Sequence, residues 1–540
     1  MSTSEVVRRP AVAAVPLYSR NATGLVKLGT PYRILVANLI NIGVTYAAFY
    51  FWLAPGIFPE TNLILAVLLV IPFGLCFLTA WALMGVLMPR SGAEYTWASR
   101  AIHPAIGFGL SGVTFVSWTF WTGLAGYWVG TLVLGPVLSV LGATNNNSTL
   151  LGMGTALQTT GFPSWPWALG VAGAVGSLLI LSFGMETYYK IQQWMWHIGL
   201  VTLALAVGVL LFGSTDQLKE ALNSLATAQG FNGDAFNTIV TAAAAKPSGL
   251  TLYALLGMFP IFSFAATTSG YIAGEVRTPK RTQLIGTVAG GAVYSLMVLV
   301  ILLAMAKGVG LDFNNDAAWV SLNDPDHYPV ASSPTFLLWM ALLAKSNVLV
   351  MVLMTIGLVI FSINWAPTVI IAASRQLFVW GFDRLLPEQV TRVSRQGSPT
   401  LALIIITVLA VILITAYSAG YFLYIAPFLA LIVAFGIVCL IAMLVPFLPT
   451  TRRIYEGSPA DIRVAGVPLI TITGAVGVIF YAIGLYYALT VSSLGFNTTS
   501  NLLLTALSFI IPAAGYFVIK AIRARQGIML DALYKELPPE

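Results

Sequence analysis

Hydrophobic residues are grouped along the chain into runs of about 20, the length that a helix needs to cross a hydrocarbon core of about 30 Å. Short polar segments separate these runs. The pattern predicts twelve membrane-spanning helices, which we number spans 1–12 in chain order. Their expected ranges are 34–56, 62–88, 105–138, 165–184, 191–213, 250–273, 284–306, 347–380, 399–417, 421–448, 467–490 and 502–520.

Two of these runs, spans 1 and 6, are interrupted by small and polar residues. The middle of span 6, residues 263–270, contains only small or hydroxyl residues apart from Phe264. A backbone that leaves helical geometry at membrane depth is tolerated only where it lines a cavity or is buried in protein. We interpret both spans as discontinuous helices that carry a binding site, and helix packing through small residues is the alternative. The interrupting residues of span 1 are Asn38, Asn41, Gly43, Thr45 and Tyr46.

Spans 1 and 6 occupy corresponding positions in two halves of five spans each, residues 34–213 and 250–448. Interrupted segments at corresponding positions of two halves indicate the binding site of an inverted-repeat transporter. The remaining predicted regions are a cytoplasmic N-terminal segment, an extracellular loop, a region containing a cytoplasmic loop and spans 11 and 12, and a cytoplasmic tail. Their ranges are 1–33, 214–249, 449–521 and 522–540.

Composition and charge predict a membrane location and an orientation. Of the 540 residues, 58% are apolar and 8% are charged, whereas a soluble domain carries roughly 25% charged residues. With the N-terminus inside, 22 Lys and Arg residues lie on the inner side and four on the outer side, as the positive-inside rule requires. We therefore expect a multi-pass protein of the cell membrane with both termini in the cytoplasm. The basic residues lie beside the spans, so nucleic acid is not an expected partner.

Three inner segments carry motifs that, in this order and at these span boundaries, resemble those of the amino acid–polyamine–organocation permeases. The resemblance covers about residues 34–448. The motifs are Gly274-Glu275-Val276-Arg277-Thr278-Pro279-Lys280-Arg281 after span 6, Ser91-Gly92-Ala93-Glu94-Tyr95-Thr96-Trp97 after span 2, and Arg375-Gln376-Leu377-Phe378 at the end of span 8.

The resemblance implies an all-α polytopic membrane protein with a LeuT-like 5+5 inverted repeat, discontinuous helices 1 and 6, and two peripheral helices. It also implies secondary transport of an amino acid or related amine without a cofactor, either coupled to H⁺ or Na⁺ or as an exchanger. The substrate carboxylate would bind free backbone amides at the two helix breaks, where unpaired N–H groups carry partial positive charge. The residues at these breaks are Thr45, Tyr46, Ala47, Phe262, Ser263, Phe264, Ala265 and Ala266.

The chain departs from the family pattern at the breaks and in span 5. The family's Gly-x-Gly-Ile-Phe motif of span 1 falls on residues 45–49, where both glycines are replaced, and the glycine at the break of span 6 falls near Ala265. Both replacements reduce the freedom of the backbone. Some members carry a lysine in span 5 in place of a coupling sodium ion, and that position falls on Gly199.

Spans 3 and 8 face the site in the LeuT-like fold, so their aromatic and hydroxyl side chains are candidates for gates and pocket. The residues concerned are Trp118, Thr122 and Trp365. Packing and interfacial anchoring are the alternative roles of membrane tryptophans.

Three further residues are candidates for ion coupling. His197 lies in span 5 close to Gly199, and a histidine at membrane depth is costly and is a candidate proton relay. Its alternative role is a hydrogen bond between helices. Ser362 and Thr368 of span 8 are candidate sodium ligands, although such hydroxyls also bond to the backbone of their own helix.

The distribution of carboxylates predicts the charge of the substrate. None of the 19 Asp and Glu residues is predicted near the middle of a span. A charged group at the bilayer centre costs about 2.5–3.5 kcal/mol, so the second ammonium of a polyamine would require a carboxylate. We therefore predict a neutral amino acid. The alternatives are an organic amine or polyamine carrier and a non-transporting amino acid receptor. An enzyme is not expected, because the spans contain no evident cluster of catalytic or metal-binding groups.

Overall fold

The computed structural model describes residues 24–41, 44–59, 61–247, 267–423 and 426–537, with the backbone only at residues 44 and 45. Within these ranges the chain is an all-α polytopic protein. Ten of the described helices are long and apolar enough to cross a membrane, and they match predicted spans 2–5 and 7–12. They are Leu63–Leu87, Pro104–Thr144, Trp165–Ser182, Met185–Phe212, Pro279–Gly308, Val348–Phe382, Thr400–Ser418, Ala426–Leu444, Leu469–Thr490 and Thr499–Arg525.

Span 1 consists of two shorter helices, Pro31–Ile40 and Val44–Ile57. The first begins where the Thr30 side chain accepts a hydrogen bond from the backbone N–H of Arg33, with proline at the first helical position. Only the end of span 6 is described, as a helix at Thr268–Tyr271 and a 3-10 turn at Ala273–Glu275. The predicted break of span 6 therefore lies outside the described residues.

Three further spans change helical geometry along their length. Span 3 comprises an α-helix, a π-helical turn and a second α-helix: Pro104–Trp128, Val129–Leu134 and Gly135–Thr144. Span 7 has the same order: Pro279–Gln283, Leu284–Ala289 and Gly290–Gly308. Span 8 comprises Val348–Ile363 and Trp365–Phe382. π-Helical turns within α-helices are rare, and those that occur frequently lie at functional sites.

Shorter elements cover the two ends of the bundle. We call the end that contains residues 88–103 the inner face and the opposite end the outer face. The inner elements are the helices Glu94–Ala101, Glu388–Thr391, Arg452–Tyr455 and Leu530–Leu533, and the antiparallel strands Arg463–Val464 and Val467–Pro468. The outer helices are Ser148–Ala156, Thr215–Ala228, Ala235–Ala243, Leu311–Asn323, Pro325–His327, Phe336–Leu343 and Ser492–Leu494.

Small residues allow the central spans to pack closely. A Cβ atom added to Gly126 of span 3 would lie 2.1 Å from the carbonyl oxygen of Leu169 in span 4. One added to Gly357 of span 8 would lie 1.7 Å from the hydroxyl of Thr202 in span 5. Close backbone approach at small residues is a principal source of helix association in membranes. The bundle so formed encloses the aromatic and charged groups of the candidate site.

Candidate functional site

Five aromatic side chains from four spans form one buried group, which we call the aromatic cluster: Tyr46, Trp121, Trp128, Trp365 and Phe428. Each is at most 3% exposed. The Tyr46 ring of span 1 lies 5.9–6.4 Å from the other four ring centroids. These separations are those of aromatic rings in direct contact. Tyr46 and Trp365 lie near the middle of their spans and Phe428 near the outer end of span 10, so the cluster extends from the middle of the bundle towards the outer face.

The predicted gate residues relate to this cluster in different ways. Trp365 belongs to it, with its ring centroid 5.7 Å from that of Trp121. Trp118 continues it inward and lies 5.4 Å from Trp121 and 5.7 Å from Tyr271 between ring centroids. The hydroxyl of Thr122 donates to the carbonyl oxygen of Trp118, one turn earlier in the same helix, at 3.0 Å. The hydrogen bond of the Thr122 hydroxyl is therefore made within span 3.

Trp121, Trp128 and Phe428 are the cluster members that the sequence reasoning missed. Spacings of three and seven residues place Trp118, Trp121 and Trp128 on one face of a helix. This periodicity would have found the two missed tryptophans. Phe428 carries no such signal, because it is the third residue of an otherwise uniformly apolar helix.

Some predicted break residues lie within the described chain. Tyr46 belongs to the aromatic cluster, and Ala47 beside it is 1% exposed. Thr45 lies in the second helix of span 1, but its side chain is outside the described part of the structure. The span 6 candidates also lie outside the described residues: Phe262, Ser263, Phe264, Ala265 and Ala266.

The inner half of span 1 is joined to the described end of span 6 by a buried polar network. The side-chain oxygen of Asn38 accepts from the backbone N–H of Ser269 at 3.1 Å. The Ser269 hydroxyl lies 2.7 Å from that of Thr287 in span 7, and Gln283 donates to the Ser269 carbonyl oxygen at 2.9 Å. Trp81 of span 2 donates to the carbonyl oxygen of Thr267 at 3.1 Å. Asn38, which interrupts the hydrophobic run, thus accepts a hydrogen bond from the N–H of Ser269. This N–H lies in the first turn of the helix Thr268–Tyr271, where it has no partner within the helix.

A bidentate ion pair connects the segment after span 6 with span 8. The Nε and Nη2 atoms of Arg375 lie 2.6 and 2.9 Å from the two carboxylate oxygens of Glu275, and both side chains are 2% exposed. The sequence placed Arg375 at an inner span end, but the guanidinium is enclosed by protein. A second bidentate pair, between Arg33 and Glu186, joins the inner ends of spans 1 and 5 at 2.8 Å.

Another buried pair connects the helix between spans 2 and 3 with the end of span 8. Nη2 of Arg100 lies 2.8 Å from Oδ2 of Asp383, with side chains 3% and 1% exposed. The hydroxyl of Tyr95 donates to the same carboxylate oxygen at 2.8 Å. Tyr534 of the C-terminal tail covers this pair, with its ring centroid 4.9 Å from the Arg100 guanidinium carbon. The tail is therefore part of the inner face.

The chain before span 1 pairs with the segment after span 6. Gly29 and Val276 form a parallel β-bridge, in which Gly29 donates to the carbonyl oxygen of Glu275 at 2.9 Å and Arg277 donates to that of Gly29 at 3.1 Å. The side chain of Arg277 donates to the carbonyl oxygen of Lys27 at 3.2 Å. Backbone pairing thus joins the inner ends of the two spans that were predicted to be discontinuous.

Glu94 differs from the other buried carboxylates because no cation pairs with it among the described residues. It is 0% exposed, and Oε1 accepts from Thr114 at 2.5 Å and from Gln376 at 2.7 Å. Tyr271 lies close enough to interact with it electrostatically. Burial raises the pKa of Glu94 to about 7, since desolvation disfavours the charged form. Glu94 is therefore more readily protonated than an ordinary glutamate.

The predicted coupling residues lie outside the aromatic cluster. His197 is exposed on span 5, and its Nε2 atom lies 2.9 Å from the Tyr32 hydroxyl. Thr368 is buried, and its hydroxyl lies 3.1 Å from that of Tyr188 and 3.0 Å from Nε2 of Gln192. The Ser362 hydroxyl is buried and has no hydrogen-bond partner within the described part of the chain.

The missing lysine of span 5 has a steric explanation. A Cβ atom added to Gly199 would lie 2.0 Å from Cδ2 of Phe361 in span 8. A side chain at this position would therefore collide with Phe361 unless that ring moved or the two spans separated. The arrangement has no room for a lysine at residue 199.

Comparison with known protein families gives a match over most of the chain. A family model described as "Amino acid permease" matches residues 56–528. No curated protein matches the chain.

Proposed function

The chain belongs to the amino acid permease family, and we propose that it carries a neutral amino acid across the cell membrane by alternating access. Members of this family are transporters and not enzymes. Two layers of contacts support the mechanism. The aromatic cluster extends from the middle of the bundle towards the outer face, and the ion pairs of Arg375 and Arg33 hold the inner ends of four spans together. We propose that these layers open in turn, one on each side of the substrate.

The surroundings of the buried carboxylates are the observation that supports a neutral substrate. Among the described residues, Glu94, Glu275 and Asp383 are the buried acids. Glu275 and Asp383 are neutralised by arginines, and Glu94 lies on the inner helix Glu94–Ala101 and not in the aromatic cluster. Residues 248–266 contain no Asp or Glu. A polyamine would therefore lack a carboxylate for its second ammonium, whereas a neutral amino acid brings its own countercharge.

We propose the proton as the coupling ion and Glu94 as its binding residue. Glu94 joins the helix between spans 2 and 3 to span 3 through Thr114 and to span 8 through Gln376. A change in its charge would therefore alter the contacts that hold these three elements together. The hydroxyl of Thr368, one of the two candidate sodium ligands, is already hydrogen-bonded to Tyr188 and Gln192.

Transport in proteoliposomes tests the proposal. We expect counterflow of labelled alanine or leucine, inhibited by other neutral amino acids, and accumulation that follows an imposed proton gradient. The substrate proposal fails if arginine, putrescine or spermidine blocks uptake at concentrations where neutral amino acids do not. Binding without flux would identify the protein as a receptor instead.

We also propose that the inner face is cytoplasmic, on the basis of the 22 Lys and Arg residues predicted on that side. Thr278 is exposed on this face and provides a site for labelling. A cysteine at residue 278 should react with an impermeant thiol reagent only after the cells are opened. Labelling in intact cells would reverse the orientation.

A further inference from the structure

An open groove lies on the inner face between spans 2 and 7, with a volume of about 780 Å³. Val86 and Leu87 at the inner end of span 2 form one wall, and Leu284 and Ile285 of span 7 form the other. Pro459, in the loop before span 11, borders it as well. These elements all end at the same membrane surface, so the groove lies at the level of the lipid headgroups.

Two cations also line this apolar groove. Lys280 and Arg281, in the first turn of span 7, are both exposed. Within the described part of the chain neither forms an ion pair, in contrast to Arg33, Arg100 and Arg375 of the same face. The groove therefore combines hydrophobic walls with two positive charges that the described protein does not neutralise.

The groove continues into a hydrophobic stripe on the surface of span 7. Residues of the stripe recur at intervals of three, four or eight residues, so they lie along one side of the helix. Their exposed fractions range from 36% to 63%, as expected for side chains that contact acyl chains. They are Ile285, Val293, Leu296, Val300 and Leu303.

We propose that this groove binds the headgroup of an anionic phospholipid, with the phosphate between Lys280 and Arg281 and the acyl chains along the stripe of span 7. Basic pockets between membrane helices on the cytoplasmic side bind anionic headgroups. The stripe identifies the occupant as a lipid, because a free phosphate has nothing to place against it. Bound lipid would also restrain the segment that begins at Glu275, the ion-pair partner of Arg375.

Native mass spectrometry of the full-length protein, loaded with phosphatidylglycerol or phosphatidylcholine, tests this proposal. We expect the protein to retain one phosphatidylglycerol in preference to phosphatidylcholine. The double substitution Lys280→Gln/Arg281→Gln should weaken retention by about tenfold or more, since basic residues beside the membrane each contribute to anionic-lipid binding. Lys280→Arg, which keeps the charge, should retain the lipid.

The matched control is Arg392→Gln/Arg395→Gln, which removes two exposed positive charges from the inner face outside the groove. It should leave the retention of phosphatidylglycerol unchanged. Equal retention of the two lipids by the unmodified protein would overturn the proposal, as would undiminished retention by the Lys280→Gln/Arg281→Gln protein. Thermal stabilisation by inorganic phosphate equal to that by phosphatidylglycerol would also overturn it, because the occupant would then be an anion without acyl chains.

Discussion

The guanidinium of Arg375 and the carboxylate of Glu275 form a bidentate ion pair between span 8 and the segment after span 6, with both side chains 2% exposed. The two residues are 100 positions apart in the chain. An ion pair taken so completely out of water holds its two elements together only while both charges are present, because either charge alone would be buried without compensation. This relationship makes the inner face sensitive to single substitutions.

Removing one member of this pair should destabilise the protein strongly. We expect Arg375→Met or Glu275→Gln to cost about 3–5 kcal/mol in the free energy of unfolding, since each leaves a buried partner unpaired. The double variant Arg375→Met/Glu275→Leu should recover much of the loss, because it buries no unpaired charge. Thermal unfolding in detergent measures this difference, and single variants as stable as the unmodified protein would contradict it.

Glu94 should make stability depend on pH. Its pKa of about 7 in the folded protein lies above the ordinary glutamate value, so the folded state holds the proton more tightly than the unfolded state. The stabilisation of the fold by this bound proton is complete below about pH 4.5. As the pH rises towards 7 it is lost, and the free energy of unfolding falls by about 3 kcal/mol in total. Unfolding measured between pH 4.5 and 8 should show this loss.

Glu94→Gln should remove this pH dependence. The amide should also abolish proton-driven accumulation while counterflow persists, because the substituted side chain does not titrate. A Glu94→Gln protein that still accumulates substrate on a proton gradient would show that another group couples transport.

Gly199 should tolerate no side chain. Gly199→Ala would bring a Cβ atom to 2.0 Å from Phe361, so spans 5 and 8 must separate or distort, with a cost of about 1–3 kcal/mol for overpacking. Gly208→Ala is the control on the same span, since a Cβ atom there meets nothing within 4 Å. Alanine at 208 should be neutral or stabilising by helix propensity. Thermal unfolding that ranks the two variants in the opposite order would contradict the close packing.

Trp365 should be essential to the aromatic cluster. Trp365→Ala removes a side chain that contacts rings from spans 1 and 3, and we expect it to cost about 3–5 kcal/mol in unfolding free energy and to abolish uptake. Trp194→Ala is the control, because Trp194 of span 5 is 72% exposed. That control should remain within about 0.5 kcal/mol of the unmodified protein. Comparable losses in both variants would show that the cluster has no special role.

Hydrophobic runs located the spans well where few charges interrupt them. Span 2 was expected at 62–88 and is observed at Leu63–Leu87. Span 5 was expected from residue 191, but its helix begins at Met185. The charged residues Glu186 and Lys190 lie in the first two turns of the helix, so the hydrophobic run begins only after them. Glu186 is compensated by Arg33, a residue of another span that no local pattern connects to it.

The partners of the charged residues were the least predictable part of the site. The ion-pair partner of Glu275 is Arg375 and not a cation of its own loop, and the sequence placed Arg375 only at the end of span 8. The tail was expected to be a plain cytoplasmic end, yet Leu530 and Leu533 are buried and Tyr534 covers Arg100. Such contacts depend on packing between distant segments, and hydrophobic periodicity carries no information about them.

The β-bridge between Gly29 and Val276 cannot form until the chain has been synthesised beyond residue 276. The neighbouring hydrogen bond from Arg277 to Lys27 joins residues 250 positions apart. At roughly 5–20 residues per second, a ribosome needs on the order of 12–50 s to synthesise a chain of that length. During this interval the N-terminal segment has already left the ribosome, while its pairing partner does not yet exist. The first five spans therefore enter the membrane with one edge of their inner face unfinished, and an insertion factor or chaperone has that time in which to hold them.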